Sequence, residues 1–341
     1  MSFQITSAPL LSLVEPGQVG ALERLFHPVM LEPGQVLFEE GKPCDWLWVV
    51  GPGAEVSVTR ADEVPGQVVV AHLGSGDTVG EMALVDGGPR SGTARVEVGG
   101  PAAVMAARDF YSLRDAYHPA AYQLLRKICL ELCWRLRGTS DRLVPRSLGA
   151  PEARGFALLA QRTEPEHLEE VPTFRDLPRV VKLALAQKLG RLETDDATTI
   201  CSEGEEGDAA YFISAGAVQV QRSGQPLAHL QPGEVFGMVA LMDGGPRSAT
   251  CVTEGPTRLL RLARPDFESL FSSANRFAFQ LVEGMARQLV KNLRTADLLL
   301  ARPEVAPPPL SVSTGLFSEA ELAALDFGVV PARDRSRPSA A

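Results

Sequence analysis

Residues 79–93 read VGEMALVDGGPRSGT, and residues 236–250 read FGMVALMDGGPRSAT. The stretch is Gly-rich, odd in composition, and written twice. Around it, residues 71–113 align with 228–270 without a gap at a constant shift of 157 residues, and 20 of those 43 positions are identical. AHL pairs with AHL (His72 with His229), DGGPRS with DGGPRS, and DFYSL with DFESL. Upstream, EEGKPCDWLWVVGPGAEVSV (39–58) aligns with SEGEEGDAAYFISAGAVQV (202–220) at a shift near 163. The difference falls in TRADEVPGQVV (59–69), longer than its counterpart QRSGQP (221–226). Insertions of that kind belong in exposed hairpin loops. A chain of 341 residues is about right for two domains. The repeat period is far too long for a solenoid.

Each half opens with an amphipathic helical segment, PGQVGALERLF in one and LPRVVKLALAQKLG in the other. Short alternating or apolar runs follow, among them VLFEE, WLWVV, EVSV and VVVAHL, then TTICSEG, AYFISAGAVQVQ and PLAHL. Gly, Pro and Asp punctuate them, the signature of an all-β sandwich or barrel. Each half closes with a long helix. One spans about 119–137, with Leu124, Leu125, Ile128, Leu132 and Leu136 on one stripe; the other spans about 275–299, with Leu281, Val282, Met285, Leu289 and Leu293. The expected class is mainly β with helices (α+β): two tandem antiparallel β-rolls of jelly-roll type, each flanked by an N-terminal and a long C-terminal helix. The expected division is 1–140, a linker at 141–168, 169–300, and a Pro-rich tail at 301–341. The linker is expected to turn helical from about Ala153 to Gln161. In the tail, Ser318 and Glu321 form a capping box for a short helix.

Composition excludes several classes. The net charge is −9 and the pI about 5.2, against the basic face that nucleic acid requires. Mean hydropathy is +0.01, and no apolar run approaches the roughly 18 residues of a membrane span. MSFQITSAPLLSLVEPG has no basic start, so no signal peptide is expected. The five cysteines are odd in number and form no CxxC pair, which points to neither disulfides nor zinc and to a reduced cytoplasmic setting. Cys129 and Cys133 read as small buried residues. The five histidines show no ligand spacing, so no metal is expected. No P-loop or nucleophile elbow appears, so an enzyme is not expected.

The repeated stretch has its own chemistry. Gly80 allows a close backbone approach before a short helical run, Glu81-Met82-Ala83-Leu84, which Gly87-Gly88-Pro89 cuts short. Unpaired N–H groups at such a start suit an anion. Arg90 adds a forked cation suited to phosphate, and Glu81 adds an acceptor for a hydroxyl. Asp86 and Asp243 read as turn-formers, and His72 and His229 as structural. Together the cassette fits a ligand with one phosphate and a ribose hydroxyl nearby.

This stretch resembles the phosphate-binding cassette of cyclic nucleotide-binding domains, as in bacterial catabolite activators and kinase regulatory subunits. That cassette reads roughly F-G-E-[LM]-A-L, a spacer, then P-R-[ASTx]-[AG]-T. The likeness covers about 15–137 and 170–298. It implies that Glu81 holds the ribose 2′-hydroxyl, and that Arg90, with backbone N–H groups near Ala83, Leu84 and Ser91, holds the cyclic phosphate. Val79, Gly80 and Met82 complete the implied site. Val79 stands for the usual Phe, and Gly92 for the usual Ala. The second cassette offers Gly237, Met238, Ala240, Leu241, Arg247 and Ser248. It lacks the carboxylate, since Met238 stands where Glu81 does, and a weak site is expected there. Glu234 aligns with Asp77 and is no substitute.

The resemblance implies a cytoplasmic, bacterial regulator that binds cAMP or cGMP without a cofactor and signals to an effector protein by helix rearrangement; a homodimer stays open. No helix-turn-helix-sized unit follows the second long helix, and the roughly 14 leading residues hold no Arg or Lys, so neither a DNA-binding output nor an inhibitory basic segment is expected. The competing readings are a ligand-free β-roll scaffold and a transcription regulator without its own DNA-binding module.

Overall fold

The computed structural model describes residues 3–61, 67–144, 161–175, 177–271 and 275–301. The first half builds two four-stranded antiparallel sheets. One runs Phe26–Leu31, Gly100–Ala106, Trp46–Val50, Thr78–Val79; the other runs Val36–Phe38, Thr93–Val98, Glu55–Ala61, Gln67–Leu73. In the second half their counterparts, with the short strand Gln161–Arg162 added, form one seven-stranded antiparallel sheet. There Ala209–Arg222 and Thr250–Ala263 each run unbroken through a place where the first half changes sheet. In the first half Gly51-Pro52-Gly53 and Gly99 make those breaks, because Pro52 cannot donate to a ladder and Gly tolerates the bend. The second half keeps only Gly216 at the first break and passes it with bulges near Ala215. Both halves are therefore antiparallel β-rolls combined with helices, the class expected from the pattern.

Each cassette is delivered the same way. Val79 pairs with Trp48, and Phe236 pairs with Tyr211, which are equivalent positions of the repeat. A tight glycine then starts the six-residue cassette helices, Glu81–Asp86 and Met238–Asp243. The opening helices are Pro16–Glu23 and Arg179–Ala186.

The long helices are Pro119–Leu143 and Arg276–Leu300, each 25 residues. His118 Nδ1 accepts the Ala120 N–H at 3.2 Å, and Asn275 Oδ1 accepts the Ala278 N–H at 2.9 Å, which caps their first turns. The first helix outruns its expected end at 137. Gly138 costs a helix only about 1 kcal/mol, and burial of Thr139 and Ser140 holds the extra turns in place. The expected stripes are buried, except that Leu136 is half-buried.

The two long helices pack on each other, and each also lies over the other half's cassette helix. Arg137 Nε and Nη2 donate to Asp243 at 2.5 and 2.9 Å, and Arg294 Nε and Nη2 donate to Asp86 at 2.9 and 3.2 Å. These four residues stand at equivalent places in the repeat. One apolar core runs through both halves and the long helices, while each roll keeps a smaller core of its own. Asp86 and Asp243 are also turn-formers, accepting the Gly88 and Gly245 N–H at 2.8 and 3.0 Å. The helix expected over Ala153–Gln161 lies almost wholly outside the described residues, as does the capping box of Ser318 and Glu321. Gln161 itself lies in a short strand, Gln161–Arg162, paired with Leu189–Thr194. Among the described residues no helix is long and apolar enough to cross a membrane.

Candidate functional site

In the first cassette Gly80 holds φ +99°, and a Cβ there would sit 2.2 Å from Arg90 Nη1. Glycine is needed there because its backbone is left-handed and the guanidinium occupies the space a Cβ would take. Arg90 Nη1 donates to Gly80 O at 3.0 Å and Nη2 to Trp46 O at 2.6 Å. Its guanidinium stacks 4.1 Å from the Phe38 ring centroid. The residue is 3% exposed and its Nε has no protein partner. Burial draws its pKa below the usual arginine value.

Glu81 is almost wholly buried and forms an ion pair with Arg135 of the first long helix. Burial pulls Arg135 down, but Glu81, Asp297, Asp77 and Glu131 outweigh it and hold Arg135 above its ordinary pKa. Asp297 comes from the second long helix, and burial pushes its carboxyl up to about 6 against the pull of Arg135 and Arg60. A line of charge thus runs from the first cassette through Arg135 to the far helix.

Val79, Gly80, Glu81, Met82, Ala83, Arg90 and Ser91 all line one cavity of about 20 Å³. Phe38, Val58, Leu73 and Arg135 complete it. Leu84 does not reach it. That side chain belongs to the apolar core shared with the long helices, and its N–H reaches Gly80 O at 3.4 Å.

The second cassette copies the arginine clamp. Gly237 holds φ +75°, and a Cβ there would lie 2.6 Å from Arg247 Nη1. Arg247 Nη1 donates to Gly237 O at 2.8 Å and to Ala209 O at 2.7 Å, the repeat equivalents of Gly80 and Trp46. Its Nη2 donates to Asp208 at 2.8 Å. Gly237, Met238, Ala240, Arg247 and Ser248 line a cavity of about 100 Å³. Leu241, like Leu84, belongs to the core instead.

The Cyclic nucleotide-binding domain family matches residues 28–117 and 192–274, one segment in each half. The chain belongs to the cyclic nucleotide-binding domain family. Among curated relatives, a cAMP-dependent protein kinase regulatory subunit of Dictyostelium discoideum is 24% identical over 288 residues, covering 82% of this chain and 72% of that one. Another from Yarrowia lipolytica is 26% identical over 241 residues, and the match spans 70% of this chain but about half, 52%, of that one. Both relatives are eukaryotic and lend the expected bacterial origin no support. Among solved structures, the regulatory domain of Toxoplasma gondii PKA crystallised with cAMP is 20% identical, with a TM-score of 0.30, over 79% of this chain and 90% of that one.

Reading the cyclic nucleotide-binding cassettes alone missed Phe38 and Arg135 in the first half, Asp297, which joins their cluster from the second long helix, and Asp208 and Asn292 in the second half. Asp208 was the most findable, since it aligns with Asp45 inside the quoted repeat. Arg135 and Asn292 also occupy equivalent positions, but they sit on helices far along the chain from the cassettes.

Proposed function

We propose that the chain is a cyclic-nucleotide sensor whose first domain takes a purine cyclic mononucleotide. Glu81 accepts the ribose 2′-hydroxyl, and Arg90, with N–H groups around Ala83 and Ser91, holds the phosphate. The observation that carries this is the convergence of Glu81 and Arg90 on one cavity, with Arg90 pre-set by two carbonyls and its Nε still free of protein partners. A positioned, desolvated guanidinium binds phosphate strongly because nothing reorganises on binding.

Glu81 is already shared with Arg135, and the cavity is about 20 Å³. A nucleotide enters by drawing Glu81 from Arg135 and displacing the first long helix. Arg135 then changes its balance with Asp297, so the second helix responds. That is the helix rearrangement offered to an effector, and the chain itself does no chemistry. The two curated relatives are named as kinase regulatory subunits, which makes a protein kinase catalytic subunit the first partner to try. The domains are taken as 1–140 and 169–300, in a cytoplasmic setting that suits five free thiols.

Calorimetry with cAMP and cGMP tests this reading. Arg90→Ala should weaken binding by about 2–4 kcal/mol, because the phosphate loses its desolvated partner. Equal binding by wild type and Arg90→Ala removes the site from the first cassette.

A further inference from the structure

The second cavity is not a decayed copy of the first. Two of its polar residues have changed together. Met238 stands where Glu81 does, and Asn292 stands where Arg135 does, so the buried ion pair of the first cavity is replaced as a unit by uncharged groups. Cys201 stands where Phe38 stacks on Arg90, and that smaller side chain opens the space. The cavity is about 100 Å³ against about 20 Å³. Apart from Arg247 the wall is largely apolar, with Val220, Leu230, Phe236 and Met238 around the two cross-strand thiols Cys201 and Cys251.

Arg247 has kept its clamp. It is 3% exposed, and its Nε, buried at this wall, has no protein partner. A buried, unpaired guanidinium N–H costs free energy unless a ligand meets it. Among the described residues its acidic bond is to Asp208, which Arg261 also shares at 2.7 Å, so two cations meet one carboxylate. An anion is therefore wanted. The acceptor for a ribose hydroxyl is gone, and an apolar surface has taken its place. Cavities of roughly this size admit a single small ring.

We infer that the second cavity binds a small amphipathic monoanion, one ring or short acyl chain carrying a single carboxylate or phosphoryl group on Arg247, and not a cyclic nucleotide. The roof is made by both long helices: Leu136, Ser140 and Leu143 from the first, and Asn292, Thr295 and Leu299 from the second. Occupancy is thereby communicated to the same helix pair that Arg135 and Asp297 address. This goes beyond the nucleotide reading of the first cassette and stands independently of it.

The test is calorimetry of the full chain with 3-phenylpropionate and hexanoate, against uncharged 3-phenylpropanol. Each carboxylate should bind one equivalent, with the alcohol at least about tenfold weaker, as expected for the loss of a charge-assisted bond. Iodoacetamide labelling of Cys201 and Cys251 should slow when a carboxylate is bound. Arg247→Gln should weaken the carboxylates and leave the alcohol unchanged. As Arg247→Gln also disturbs the clamp, Val220→Phe provides a second variant; it fills the cavity from a partly exposed strand and should abolish both binding and protection. The inference is overturned by no saturable binding of either carboxylate at millimolar concentration, by alcohol binding as tight as carboxylate, or by binding that survives Val220→Phe. Tight binding of cAMP at the second cavity also overturns it.

Discussion

Arg294 and Asp86, 208 residues apart, meet in a two-pronged ion pair between the second long helix and the first cassette. Arg137 and Asp243 repeat that pair with the halves exchanged. Reciprocal contacts of this kind are the mark of a twofold, self-complementary interface. Here both copies lie in one chain, so the contact is internal. All four side chains are largely buried, with 14–22% of their surface exposed.

The pair joins elements distant in sequence, so it should couple the halves measurably. A double-mutant cycle with Arg294→Ala and Asp86→Ala, read by urea unfolding, should return a coupling of about 1–2 kcal/mol, above that of exposed pairs. A coupling indistinguishable from zero would remove this contact from the list of what holds the halves together.

Gly80→Ala should be severe for its size. It forces a Cβ into φ +99° and against Arg90 Nη1. We expect about 2 kcal/mol or more of destabilisation and loss of the nucleotide response. Gly138→Ala is the contrast. That glycine lies inside the first long helix with nothing within 4 Å of an added Cβ. Alanine there should stabilise by roughly 0.5–1 kcal/mol. Thermal melts of both variants compare the two, and equal effects would contradict the clamp.

Stoichiometry reports the asymmetry of the cassettes. Loss of a bond to a charged group weakens binding by about 1.5–3 kcal/mol. Wild type should therefore take one tight equivalent of cyclic nucleotide. Met238→Glu should move this toward two, and more so with Asn292→Arg beside it, because the carboxylate is then paired as Glu81 is. Two equal tight sites in the wild-type chain would refute the asymmetry.

Glu131 supplies a pH signature. Burial pushes its carboxyl from the ordinary 4.5 up to about 7, although Lys127 and a 2.7 Å bond from the Thr78 hydroxyl pull the other way. Asp77 and Asp297 are pushed up to about 6, also by burial. The folded state then binds more protons than the unfolded one between each ordinary value and the raised one. Stability should fall as pH rises through that window and level off above it. Asp208 and Glu234 are held low and act only at more acidic pH. Denaturant unfolding from about pH 5 to pH 8 should show the decline, and Glu131→Gln should flatten it. A wild-type profile that rises over the same range would contradict the burial of these groups.

Most of the fold was legible in the chain. The duplicated stretch exposed the repeat, and alternation with Gly and Pro punctuation exposed the rolls. Glu81 and Arg90 stood out because they lie nine residues apart in one cassette whose turn is set locally by Gly80, Gly87 and Pro89. The cassette helix turns the Leu84 and Leu241 side chains into the core; periodicity over six residues is too short to say which face looks inward. Gly138 was misleading, since tertiary packing outweighed a weak local preference.

The sequence by itself determined the two cassettes, the arginine each carries and the loss of the carboxylate at Met238, because each is written in neighbouring residues. Only the tertiary structure decided that Arg135 takes Glu81, that Asp297 reaches the same cluster from the other half, and that each long helix lies over its partner's cassette. An amphipathic stripe declares that a face will be buried. It does not declare against what, and that depends on which apolar and charged surfaces meet once both rolls have formed.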